Sequence, residues 1–102
     1  MSDSEMIISA VCSYYGIPKK ALLAKTRKRE IVEPRQMCHK LLRVNTRLGL
    51  SDIGLLTDKD HATVLFSNRT VDNLMLSNKQ IKADYEALTE IIKSPQFEDY
   101  SI

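Results

Sequence analysis

Apolar residues return at the helical period in segment after segment of this chain, and no run rich in Val, Ile and Thr alternates at period two. That pattern restricts the fold to helices. Ile7, Ala10, Val11 and Tyr14 place a first helix over about Ser4 to Tyr15, which Gly16 can close. Pro18 can start a short second helix, Lys19 to Ala24, burying Leu22 and Leu23. From Lys25 to Glu33 the periodicity lapses into the run KTRKRE, and Glu33 precedes a proline that disfavours helical backbone there, so a basic loop is expected. Pro34 suits the first turn of a third helix, with Met37, Leu41 and Val44 on one face.

After Gly49, Ser51 is a good N-cap for a short fourth helix, Asp52 to Leu56, and Thr57, Asp58 and Lys59 make a tight turn. Asp60 caps a fifth helix, in which Val64, Asn68, Val71 and Met75 form a stripe that Leu65 and Leu74 widen, and Asn78 ends it. A last helix, Lys79 to Lys93, carries Ile81, Tyr85, Leu88 and Ile92 and is stopped by Pro95. The fold class is all-α: a compact bundle of about six helices forming one domain over residues 1–95, followed by an acidic, loose tail at 96–102.

Several functions are excluded by what the residues cannot build. Three glycines, at 16, 49 and 54, are too scattered for a phosphate-cradling loop, so no nucleotide site or cofactor is expected. Cys12, Cys38, His39 and His61 match no zinc spacing, and reduced thiols fit them better. No apolar run approaches the length of a membrane span, and Asp3 and Glu5 occupy the place of a basic secretion leader, so a cytoplasmic location is expected. His39 and His61 are the sole side chains suited to proton transfer near neutral pH, and His61 is better explained at the start of the fifth helix than as a general base, so the chain reads as no enzyme.

The net charge of +2 conceals a strong polarity. Residues 19–47 hold ten bases against Glu30 and Glu33, a net of +8, whereas residues 83–102 hold five acids against Lys93. A basic face with acidic ends fits a polyanion-binding domain, and equally a solvated basic surface. The segment LSDIGLLTDKDHATVLFSNR, a short helix, a turn and a longer helix, has the outline of a helix-turn-helix. In that arrangement the second helix enters the major groove of B-DNA and aims its first residues at base edges. Lys59, Asp60, His61, Ala62 and Thr63 stand there, offering donors, acceptors and a methyl group. An ordinary helical hairpin with polar caps would show the same segment.

The run YYGIPKKALLAKTRKREIVEPRQMCHKLL, followed by LSDIGLLTDKDHATVLFSNRTVDNL, resembles the C-terminal DNA-binding domain of the bacterial replication initiator DnaA family. The tyrosine-rich helix end, the basic stretch leading into PRQ, the I-G pair and the DHxTV block carry the resemblance, which covers roughly residues 5 to 92. It implies sequence-specific double-stranded DNA binding in replication initiation or its regulation, at the nucleoid. Position by position, it implies that Arg27 enters the minor groove. Arg35, Gln36 and Arg43, with Leu50 and Ser51, would hold the phosphate backbone; Asp60, His61, Ala62 and Thr63 would read the major groove, and Arg69 would add a phosphate contact.

The chain departs from the family pattern at Ala62, where a hydroxyl residue is usual, at the glycine-poor turn of Thr57, Asp58 and Lys59, and at Glu33. These departures open an alternative, a DnaA-like protein-interaction or transcription-regulator module with altered or lost box binding. The ATPase domain of complete initiators is not part of this sequence, which is thus expected to be a stand-alone DNA-binding protein or an excised domain.

Overall fold

A computed structural model of the chain describes residues 3–93, and the expected tail and Pro95 lie outside them. Six helices follow in order: α1 (Asp3–Tyr15), α2 (Lys19–Leu23), α3 (Arg29–Asn45), α4 (Leu50–Thr57), α5 (His61–Met75) and α6 (Lys79–Ile92). Among the described residues there is no strand, and no helix is long and apolar enough to cross a membrane.

Helix α3 is the centre of the bundle, with α1 on one side and α5 on the other. Its buried residues Pro34, Arg35, Met37, Cys38, His39, Leu41 and Leu42 cover more than half of the helix circumference, as a helix lined by two partners requires. Val44, expected on the buried face, lies at the edge of that arc and is 53% exposed. Around it pack Ile7, Ile8 and Val11 of α1, Leu22, Ile53, Val64 and Val71, and Ile81 and Leu88 of α6. Burial of such side chains, at about 25 cal/mol per Å² of apolar surface, is the main force holding the helices together.

Two buried stripes differ from the sequence expectation. In α1 the stripe runs Ile7, Ile8, Val11, Cys12, rotated away from Ala10 and Tyr14. Tyr14 instead donates its hydroxyl proton to Asp84 Oδ1 at 2.8 Å, and Gln80 Nε2 donates to the same oxygen at 2.9 Å, which ties α1 to α6. In α5 the stripe widens toward Ser67, not toward Leu65.

Helix boundaries also move. Helix α3 starts at Arg29, so Pro34 sits inside it and the basic loop shortens to residues 24–28. The proline deletes the one backbone bond that would reach the carbonyl of exposed Glu30, where water can take it. The early turn is held by Ile31 and Val32 N–H groups donating to Lys28 O and by an Arg29–Glu33 ion pair at 2.7 Å. Helix α4 starts at Leu50 with Gly49 as N-cap, two residues before the expected Ser51 cap. Pro18 likewise is the N-cap of α2, and Asn78 belongs to α6, whose first turn it caps by accepting from Gln80 and Ile81 N–H.

Two helix ends share one solution. At the end of α1, Gly16 adopts φ +69° and Ile17 N–H donates back to Cys12 O. At the end of α4 the same left-handed position is held by Asp58, φ 56°, and Lys59 N–H donates to Gly54 O at 2.8 Å. Both are Schellman-type closures with the bond spanning six residues. Aspartate tolerates the left-handed region better than most side chains, which is how a turn poor in glycine still closes.

Candidate nucleic-acid interface

Helices α4 and α5 pack through a turn of Asp58, Lys59 and Asp60. Gly54 makes the close approach possible, because a Cβ there would collide with the Lys59 carbonyl oxygen. The N-terminus of α5 is fixed by Asp60, whose Oδ1 accepts from Thr63 N–H at 2.7 Å. That bond favours the carboxylate and holds the Asp60 pKa below its ordinary value.

Beneath the turn lies a buried polar chain that links three helices. His39 of α3 is fully buried, with Nε2 2.8 Å from Thr57 Oγ1 of α4 and Nδ1 2.8 Å from Ser67 Oγ of α5. The Thr57 hydroxyl proton is directed at Ile53 O, 2.9 Å away, so Thr57 accepts from Nε2–H. Nδ1 therefore carries no proton and accepts from Ser67. Burial, with Arg35 and Lys59 nearby, pushes the His39 pKa down to about 4. The sequence carried a signal of this network: Thr57 and Ser67 stand at helical spacings from Ile53 and Val64, where an apolar residue would normally continue the stripe.

Seen from the outside, α5 exposes His61, Ala62, Leu65, Phe66 and Arg69, with Thr63 partly covered. Arg27 and Lys28 of the basic loop are exposed, as are Arg43 and Ser51, whereas Gln36 and Leu50 are half-buried. Arg43 Nη1 also donates to Leu48 O at 3.1 Å, which steadies the link between α3 and α4.

Arg35 and Lys59 are placed differently from the sequence expectation. Arg35 is only 7% exposed, and its guanidinium donates to Leu22 O at 2.9 Å, Ala24 O at 2.6 Å and Thr26 O at 3.2 Å. Lys59 Nζ donates to Leu23 O at 3.0 Å and Asp58 O at 3.1 Å. Two cations thus converge on the carbonyl end of α2 and on the loop that bears Arg27, where the helix dipole favours positive charge. Desolvation lowers the pKa of both, and for Lys59 the Arg35 charge adds to it. The arrangement anchors the basic loop to the same turn from which α5 starts.

No group of three or more His, Cys, Asp or Glu side chains among the described residues is placed to hold a metal ion, and Cys12 and Cys38 are free thiols. Burial raises the pKa of both thiols.

Residues 4–71 match a family model described as bacterial dnaA protein helix-turn-helix. The chain is 39% identical over 79 residues to the chromosomal replication initiator protein DnaA of Flavobacterium psychrophilum, covering 76% of this chain and 16% of that protein. Against the DnaA protein of Bacteroides fragilis the identity is 35% over 88 residues, covering 85% and 18%. Against that of Thermomicrobium roseum it is 38% over 85 residues, covering 82% and 18%. The chain spans less than a fifth of the length of these three relatives.

Proposed function

The chain belongs to the bacterial DnaA helix-turn-helix family, and from that premise we propose that it binds double-stranded DNA in a sequence-specific manner, in replication initiation or its regulation. The observation that carries the reading is the capped, exposed N-terminus of α5, held by α4 beside a loop bearing three exposed bases. In this reading α5 enters the major groove, with Asp60, His61, Ala62 and Thr63 toward the bases, and Arg27 enters the minor groove. Gln36, Arg43, Leu50, Ser51 and Arg69 position the domain on phosphates. Arg35 and Lys59 act from inside, as the anchor of the Arg27 loop. Such a protein works at the nucleoid, and its contribution to origin function is recognition without catalysis.

The test is selection of duplexes from a randomised library, followed by a salt titration of the recovered sequence. A consensus should emerge, with log affinity falling against log salt at about −0.9 per phosphate neutralised. Arg27→Ala should relax the preference for A·T pairs in part of the site while leaving the thermal melt unchanged, since Arg27 is exposed. A library without enrichment, or binding indifferent to salt, refutes the reading and favours a protein-interaction module.

A further inference from the structure

Helices α1 and α6 run antiparallel, joined at one end by Tyr14 and Asp84 and meeting at the other where Asp3 and Ile92 line a common groove. Met6, Ile7 and, from the last turn of α3, Asn45 complete its walls, which enclose about 180 Å³. Met6, Ile7 and Ile92 make most of that lining apolar, and the Asn45 amide is already engaged, donating to Leu41 O at 2.9 Å. An occupant would be held by contact more than by hydrogen bonds. An apolar cavity of about 150 Å³ takes a benzene ring, so the groove matches one aromatic side chain. Arg43 and Arg47 stand two residues to either side of Asn45, both exposed and, among the described residues, in no ion pair. The α3 border of the groove is therefore cationic, while Asp3 makes its α1 border acidic.

The chain itself supplies an occupant of this chemistry. Ile92 lines the groove and ends α6, and the sequence runs on through Lys93, Ser94, Pro95, Gln96, Phe97, Glu98 and Asp99. Serine followed by proline favours a turn, which would reverse the chain toward the wall it has just left. Phe97 lies five residues past Ile92, at most about 17 Å of fully extended chain, so after a reversal the groove is within its reach. Glu98 and Asp99 follow at once, with the charge that complements Arg43 and Arg47. We propose that residues 94–99 dock on this groove, with Phe97 seated between Met6 and Ile92 and the acidic pair set against Arg43 and Arg47. The docking requires no DNA. Its consequence rests on the DNA-binding reading, in which Arg43 meets phosphate: the acidic pair then competes with the duplex for the same cations.

Two measurements on the full chain test this. In NMR spectra the Phe97 ring should show nuclear Overhauser contacts to the Met6 and Ile92 methyl groups, and the Met6 signal should shift in Phe97→Ala. Glu98→Gln combined with Asp99→Asn should tighten binding to a duplex recovered from the randomised library about three-fold at low salt, and less at high salt. The gain should vanish when Arg43→Ala and Arg47→Ala are also present. A Phe97 ring without contacts to Met6 or Ile92 overturns the docking. Duplex affinity unchanged in the acid-to-amide variant, or a gain that survives the loss of both arginines, overturns the placement of the acidic pair. Ring contacts in a protein that binds no duplex in any variant uphold the docking and remove the DNA-binding reading instead.

Discussion

Lowering the pH from 7 to 5 should weaken the fold through a single side chain. His39 has a folded pKa of about 4 against an ordinary 6.5. A depressed pKa means that the unfolded chain takes up the proton first, so the stability His39 contributes is complete above 6.5 and is lost as pH falls toward 4. Each tenfold difference in proton affinity between the folded and unfolded chain is worth about 1.36 kcal/mol, so the loss is about 2 kcal/mol between pH 7 and 5 and about 3 kcal/mol by pH 4. The structural reason is the directed chain from Ser67 through His39 to Thr57 and Ile53, in which Nδ1 can accept a proton only if Ser67 stops donating. Urea unfolding followed by circular dichroism at pH 7, 6 and 5 measures the loss in a window above the carboxylates. His39→Gln should be less stable at pH 7, because Ser67 and Thr57 lose their shared partner, and should show little change down to pH 5. A wild-type stability that is flat from pH 7 to 5, or a His39→Gln slope equal to it, would refute the account.

Gly54→Ala should destabilise the domain by about 1 to 3 kcal/mol despite alanine's better helix propensity, because the new Cβ meets the Lys59 carbonyl; a raised melting temperature would show that the turn can yield. Asp58→Gly should stabilise by up to about 1 kcal/mol by relieving a left-handed aspartate, and an unchanged or lower urea midpoint would count against the strain. Arg35→Ala should lower stability by at least about 2 kcal/mol, since three carbonyls lose a charged donor, whereas a mere phosphate contact would leave the melt untouched.

The helices were legible because their periodicity is dictated by burial on one side, and the Asp60 cap and the helix-turn-helix outline follow from local chemistry. What the sequence hid were decisions made by distant partners. Pro34 suits a first turn, and the Arg29–Glu33 pair with the Lys28 carbonyl carries the helix one turn further back. Leu65 suited the α5 stripe better than Ser67 did, until His39 from another helix gave Ser67 a reason to be buried. Arg35 looks the same in the PRQ segment whether it points out or in; carbonyls up to thirteen residues earlier decide the matter. Of the candidate site, the α5 start and the exposed Arg27 loop could be placed from the sequence, while the anchoring of one to the other could not.

The grip of Arg35 and Lys59 on the basic loop falls on main-chain oxygens of Leu22, Leu23, Ala24 and Thr26, not on side chains. Every residue type presents the same carbonyl, so the loop's attachment is blind to its own sequence. Lys25, Arg27 and Lys28 can be exchanged wholesale, by drift or by design, without loosening the frame that presents them. If the loop reads DNA as proposed, preference for one target over another could be rewritten there independently of the stability of the domain that carries it.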